Sequence, residues 1–338
     1  MLVALLVPAL AAGAAGATTG TWAATASMSA PRADITATTL GNGRVLVVGG
    51  AQLTTTELYD PPSGTWLAGG ALSEPRGLHV AVRLADGSVL VAGGGFYTPS
   101  AELYDPATNA WTPSGSMNVG RIDATGTLLR DGRVLVVGGL ASDGSGVQAS
   151  AELYNPATGS WTPTGSLRSP RRAHAAVLLP DGTVLVVGGS NSSGAVHAAE
   201  RYDPARGRWS RAGTSSTAGT SATLLNDGRV LVASGPEAEL YDPARNRWAP
   251  TGSMTSIHGG PAVRLRDGRV LVAGAGSGDV YSPATGTWNA TGPMVFPYAS
   301  AAGALLPDGK VLYAGGIRSA CEKFGGCEPL ADAALYMP

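Results

Sequence analysis

Along the chain, short apolar runs alternate with polar breaks, and no stretch keeps a helical period. The runs follow a fixed order. Ala173-His174-Ala175-Ala176-Val177-Leu178-Leu179 leads to an Asp-Gly dipeptide, and a continuous apolar run, Val184-Leu185-Val186-Val187, ends at two Gly. Next come Ala199-Glu200-Arg201-Tyr202-Asp203-Pro204 and a segment around Trp209. Each piece has the length of a β-strand. Asp-Gly suits a tight hairpin because both residues tolerate positive φ, and it recurs at Asp86, Asp131, Asp181, Asp227, Asp267 and Asp308. The continuous apolar run fits a strand covered on both faces, and the Pro ends the third strand.

This order repeats. Trp22, Trp66, Trp111, Trp161, Trp209, Trp248 and Trp288 recur every 39–50 residues, and from Trp66 onward a Tyr stands seven residues ahead of each. Four short strands per unit of this length make a propeller blade. The repeat therefore predicts an all-β fold, a seven-bladed β-propeller with strands a, b, c and d in each blade, a being innermost. Burying one Trp contributes about 4–6 kcal/mol gross, so the seven Trp and the matching Tyr (Tyr59, Tyr104, Tyr154, Tyr202, Tyr241, Tyr281 and Tyr336) are expected to build the core. The last unit reaches Tyr336-Met337-Pro338 without a Trp, while Thr18 to Trp22 aligns with Ala284 to Trp288. The N-terminal strand is thus expected to supply strand d of the seventh blade and close the ring.

The Gly pair after strand b, the Tyr on c and the Trp on d resemble the kelch family over nearly all of residues 18–338. The resemblance implies close backbone packing at the Gly pairs and aromatic packing between blades. Kelch propellers also occur in secreted copper-radical oxidases such as galactose oxidase and in epimerases or mutarotases of the sialic-acid type. The oxidases need two Tyr, two His and a Cys bonded to one Tyr, a set that cannot be placed in these loops. The second type would use acid, base and Arg residues at the channel mouth, for which Asp34, Asp123, His258 and Glu74 are the candidates.

Residues 1–17 form an apolar run followed by small residues, the pattern of a secretory signal peptide, although no Lys or Arg precedes the run. Export to the cell surface or beyond is expected, with an uncleaved anchor as the alternative. Charged residues are only 14% of the chain and the net charge is −1. No global field recruits nucleic acid or an anionic membrane, and a monomer without membrane insertion after signal cleavage is expected.

From the end of strand b to the Tyr the distance varies from 6 to 20 residues, whereas Tyr to Trp is constant. The length variation lies in the b–c loops, which share one face with the d–a loops, and loops of that kind commonly carry binding residues. Ten residues after each Trp come Arg32, Arg76, Arg121, Arg171, Gly219, His258 and Tyr298. At the start of strand a, these positions are expected to ring one mouth of the central channel. The Arg forks would suit carboxylates and other anions; the alternative is that they bond backbone carbonyls within the repeat. Cys321 and Cys327, in the longest b–c loop, are expected to form a disulfide in an oxidising compartment. The expected function is a secreted module that binds a protein or glycan, acidic ligands included, with no cofactor, metal or catalytic residue assigned. A sugar-acting enzyme and a structural module of a cell-surface assembly are the alternatives.

Overall fold

The computed structural model describes residues 19–50, 52–96, 98–141, 145–218, 221–256, 260–318 and 328–338. Its main sheets are seven antiparallel four-stranded blades. Blade 1 comprises Thr36–Thr39, Val45–Val48, Thr55–Asp60 and Thr65–Ala71. Blade 2 comprises Val80–Arg83, Val89–Ala92, Ala101–Asp105 and Ala110–Ser114. Blade 3 comprises Thr125–Leu128, Val134–Val137, Ala151–Asn155 and Ser160–Thr164. Blades 4, 5 and 6 repeat the order, with strand a at Ala175–Leu178, Ser221–Leu224 and Ala262–Arg264. In blade 7, Ala302–Leu305, Val311–Ala314 and Ala333–Met337 are joined by Thr21–Ala24 as the outermost strand. There Trp22 stands opposite Tyr336. Neighbouring a strands touch at all seven joints, blade 7 to blade 1 included, so no blade is left with an open side.

Strand b is the driest element. Its four residues in blades 1, 3 and 4, Val-Leu-Val-Val each time, are almost wholly removed from water, because adjacent blades cover both of its faces. Strand c places its Tyr directly across from the Trp of strand d in every blade, as with Tyr154 and Trp161. The two rings lie 4.9–5.2 Å apart, tilted by 38–58°. The aromatic roles are unequal. The seven Tyr are fully buried, whereas among the Trp only Trp209 and Trp288 are buried, each still slightly exposed. The indoles act at the outer edge, where N–H groups bridge blades: Trp66 donates to the Ala26 carbonyl at 2.7 Å and Trp161 to that of Gly115 at 2.7 Å. Tyr154 and Trp161 of blade 3 both pack onto the apolar face of blade 2, so the expected packing between blades is present.

Substitution of Tyr154 by Ala is expected to lower stability by about 3–5 kcal/mol, the range for a buried aromatic side chain. Trp161→Ala is expected to cost less, although the larger ring is removed. Urea unfolding of both variants tests the ranking, and a greater loss for Trp161→Ala would contradict it.

Candidate functional site

The loops between b and c and between d and a gather at one end of the channel, where the sequence placed an Arg ring. The structure puts those side chains elsewhere. Arg32, Arg76, Arg121 and Arg171 are buried, each within its own blade. Their Nη1 atoms donate to the carbonyl of the first Gly after strand b: Gly49 at 2.8 Å, Gly93 at 2.8 Å, Gly138 at 2.9 Å and Gly188 at 3.1 Å. Each guanidinium also pairs with the Glu two residues before the strand c Tyr: Glu57 at 3.1 Å, Glu102 at 3.0 Å, Glu152 at 2.9 Å and Glu200 at 3.2 Å. The other oxygen of each Glu accepts a main-chain N–H of the d–a loop, from Ser29, Ser73, Asn118 and Arg168.

These four guanidinium groups are therefore not offered to a ligand. Their expected backbone role is what the geometry shows, and the reason for anticipating an acidic ligand goes with it. The Arg also work between blades. The carbonyl of Arg121 accepts from Gly94 N at 2.9 Å, that of Arg171 from Gly139 N at 2.9 Å, and that of Arg32 from Gly316 N at 2.8 Å. This contact explains the Gly pair. A Cβ on Gly49 (φ +94) would lie 2.6 Å from the Arg76 carbonyl and 2.7 Å from the His79 ring.

Tyr298, the blade 7 counterpart, is also buried, within an apolar cluster that includes Met294 and Ala334. Ala334 stands where the other blades have Glu or Asp, so blade 7 has exchanged an ion pair for an aromatic ring and a methyl group. The Tyr298 hydroxyl has no partner among the described residues. Burial, with the nearby Asp332 charge second, raises its pKa above the usual tyrosine range. His258, Gly219, Cys321 and Cys327 lie outside the described residues.

Two places after each of the four Arg, and after Tyr298, come Asp34, Leu78, Asp123, Ala173 and Ser300, all with φ between 50° and 58°. The left-handed region costs an L-residue roughly 1–2 kcal/mol. Here it turns main-chain groups towards the next blade: Leu78 N donates to the Asp34 carbonyl at 3.0 Å, Asp123 N to that of Leu78 at 3.1 Å and Ala173 N to that of Asp123 at 3.0 Å. Asp34 and Asp123 are half-buried. Desolvation raises the pKa of both; at Asp123 the Arg172 guanidinium, 3.5 Å away, opposes the rise and the Asp34 charge adds to it. The Asp34 carboxylate makes no hydrogen bond to a described residue. It borders a cleft of about 470 Å³ between blades 7 and 1, with Pro31, Gln52, Leu53, Ser300 and Ile317. Glu74 is tied down by Arg76 at 3.1 Å, Thr98 and Ser100. Asp34 and Asp123 were visible in the sequence as polar candidates; Arg172 and Leu78 carried no repeat signal.

His79 and His174 join strand a to the preceding blade through Thr36 at 2.8 Å and Thr125 at 2.7 Å. Burial, helped by the adjacent Arg, brings both down to about 3. Among the described residues no group of three or more His, Cys, Asp or Glu is placed to hold a metal ion.

Arg121→Leu is expected to cost about 3–5 kcal/mol by leaving Glu152 buried without its counter-charge. The double variant Arg121→Tyr with Glu152→Ala copies the blade 7 solution and is expected to recover most of that loss in chemical denaturation. A double variant no more stable than Arg121→Leu would count against the exchange. For the buried His, the folded state binds fewer protons than the unfolded chain between pH 6.5 and about 3. Stability is therefore lost as pH falls through that window. His174→Gln is expected to flatten this acid limb, measured as unfolding midpoints at pH 7 and pH 5; an unchanged slope would refute the assignment.

Comparison with known proteins agrees with the architecture. A kelch-motif family model matches residues 171–216, from the buried Arg171 through all four strands of blade 4. No curated protein sequence matches the chain. Among solved structures, one similar fold is that of a fungal alcohol oxidase, described as novel, with catalytic diversity among the AA5 family and in complex with copper. Its TM-score is 0.76 at 19% identity, covering 94% of this chain and 76% of that one. At that identity the likeness is one of fold. With the motif match, the seven blades and the repeated Gly-pair, Tyr and Trp positions together, the chain is a kelch-repeat β-propeller.

Proposed function

We propose that the protein is an exported binding module whose b–c/d–a face takes a protein or glycan ligand, centred on the channel mouth. One observation carries the reading. The Asp34 carboxylate is half-desolvated at the rim of a cleft and has no hydrogen-bond partner among the described residues. Partial burial of a carboxylate without compensation costs free energy, and a ligand bringing donors would offset it. Sugar hydroxyls or basic side chains are suitable donors. The surroundings support recognition. Leu78 and Phe96 are exposed on this face, and the b–c loops vary in length there. The apolar N-terminal segment supports export, and Cys321 with Cys327 would staple the longest of these loops in an oxidising compartment.

A sugar-acting enzyme is the second reading, favoured by the raised pKa values of Asp34 and Asp123, which suit carboxyl groups that exchange protons. Binding to glycan and peptide arrays, with turnover on simple sugars measured in parallel, separates the two.

Asp34→Asn and Asp123→Asn are expected to weaken array binding by about tenfold or more, as for loss of a charged hydrogen-bond partner. Their stability should run the other way. A raised carboxyl pKa means that the folded state holds its proton at higher pH than the unfolded chain. Above that window the charge disfavours folding, so Asp34→Asn is expected to melt no lower than the parent at pH 7. Binding that survives both substitutions would remove the mouth from consideration.

A further inference from the structure

The strand c carboxylate recurs in six blades, as Glu57, Glu102, Glu152, Glu200, Glu239 and Asp279. In blades 1 to 4 its two oxygens divide their work in one way. Oε2 accepts a main-chain N–H of the d–a loop, and Oε1 meets the guanidinium. Blade 5 keeps only the first half. Glu239 Oε2 accepts Ser216 N at 2.8 Å and the Ser215 hydroxyl at 2.6 Å. Its Oε1 makes no hydrogen bond to a described residue, and no described residue forms an ion pair with it. The position that supplies Arg elsewhere is Gly219, so the repeat brings no guanidinium of its own to this carboxylate. Glu239 is 8% exposed, against 2–3% for the four paired Glu.

The acceptor set is enlarged as well. Two residues earlier on strand c, blades 1, 2 and 3 carry Thr55, Ser100 and Ser150, whose hydroxyls also accept from the guanidinium at 2.8, 2.6 and 3.2 Å. Blade 5 has the exposed Glu237 there. Both positions that contact a guanidinium in blades 1 to 3 are therefore carboxylates in blade 5. Blade 7 shows how the chain dispenses with the pair when it has no use for it, because Tyr298 and Ala334 replace both members. Retaining a nine-tenths buried Glu without an internal cation is the costlier choice.

We propose that Glu239, with Glu237, is a recognition site for a guanidinium carried by a ligand, namely an Arg side chain of a bound peptide. The bound fork would reproduce the contact that Arg32, Arg76, Arg121 and Arg171 make inside their own blades, with Glu239 Oε1 as its charged acceptor. This deepens the reading of the b–c/d–a face as a binding surface and rests on it, but it does not use Asp34 or Asp123.

The test is calorimetric titration of the whole protein with acetyl-Gly-Arg-Gly-amide and with the same peptide carrying citrulline or Lys. The Arg peptide is expected to bind about tenfold or more tightly than the citrulline peptide, as for loss of a charge-assisted hydrogen bond, and Lys, lacking the fork, is expected to fall below Arg. Glu239→Gln is expected to remove the preference for Arg over citrulline. Gly219→Arg is expected to restore the internal pair and exclude the peptide, which keeps the test open should Glu239→Gln fold poorly. Equal binding of Arg and citrulline peptides, or binding undiminished in Gly219→Arg, would overturn the proposal. So would a loss of Arg-peptide binding in Asp34→Asn that spares Glu239→Gln, since the peptide would then sit at the mouth. Array binding that depends on Asp34 with no response to the Arg peptide would sink this site alone and leave the mouth standing.

Discussion

Four of the seven blades depend on a buried guanidinium that satisfies three parts of the chain together. In blades 1 to 4 the Arg at the start of strand a binds the carbonyl at the end of strand b and the Glu on strand c. In several joints its own carbonyl accepts an N–H from the blade before. Loop ends inside a propeller are short of hydrogen-bond partners, because the sheets stop there and water is largely excluded. A guanidinium carries five donors in a rigid fork and meets that shortage with one side chain. The Gly pair follows from the same contact, since the neighbouring carbonyl approaches too closely for a Cβ.

Once that device is recognised, the departures from it become informative. Blade 7 deletes donor and acceptor together and fills the space with Tyr298, a neutral solution of similar bulk. Blade 5 deletes only the donor, and it also puts Ser215 where the other blades have Met or Leu, giving Glu239 a hydroxyl in part exchange. Blades 1 to 4, blade 7 and blade 5 thus hold three answers to one problem: paired charge, apolar substitution and an open carboxylate. The face that carries these differences is also the one whose b–c loops change length.

Much of the fold was legible because one pattern appears seven times, and each copy checks the others. The Trp and Tyr spacing gave the blade count, and the Asp-Gly dipeptides gave the a–b hairpins. The direction of the Arg side chains was not legible. Residue position fixes where a Cα lies near the channel, but a side chain as long as Arg can turn into the blade or towards solvent, and periodicity is silent on which. A signal was present nevertheless. Arg and Glu stand together in blades 1 to 4 and vanish together in blade 7, as a mutually dependent pair would. The mouth carboxylates were harder to find, because Asp34 and Asp123 share their repeat position with Leu78, Ala173 and Ser300. What unites those five is a main-chain conformation, and φ leaves no mark on residue type when Asp, Leu, Ala and Ser all adopt it.

The pairing of Thr21–Ala24 with Ala333–Met337 has a consequence in time. Strand d of blade 7 leaves the ribosome before any of blade 1 and stays without its partner until the rest of the ring has been made. At about 5–20 residues per second that interval is roughly 15–60 s. Six blades can assemble in order while the seventh waits, and the seam between Trp22 and Tyr336 cannot form before the last residues are made. A chain threaded outward through a membrane N-terminus first would meet the same delay on the far side, with the waiting strand already delivered and its partner still to come.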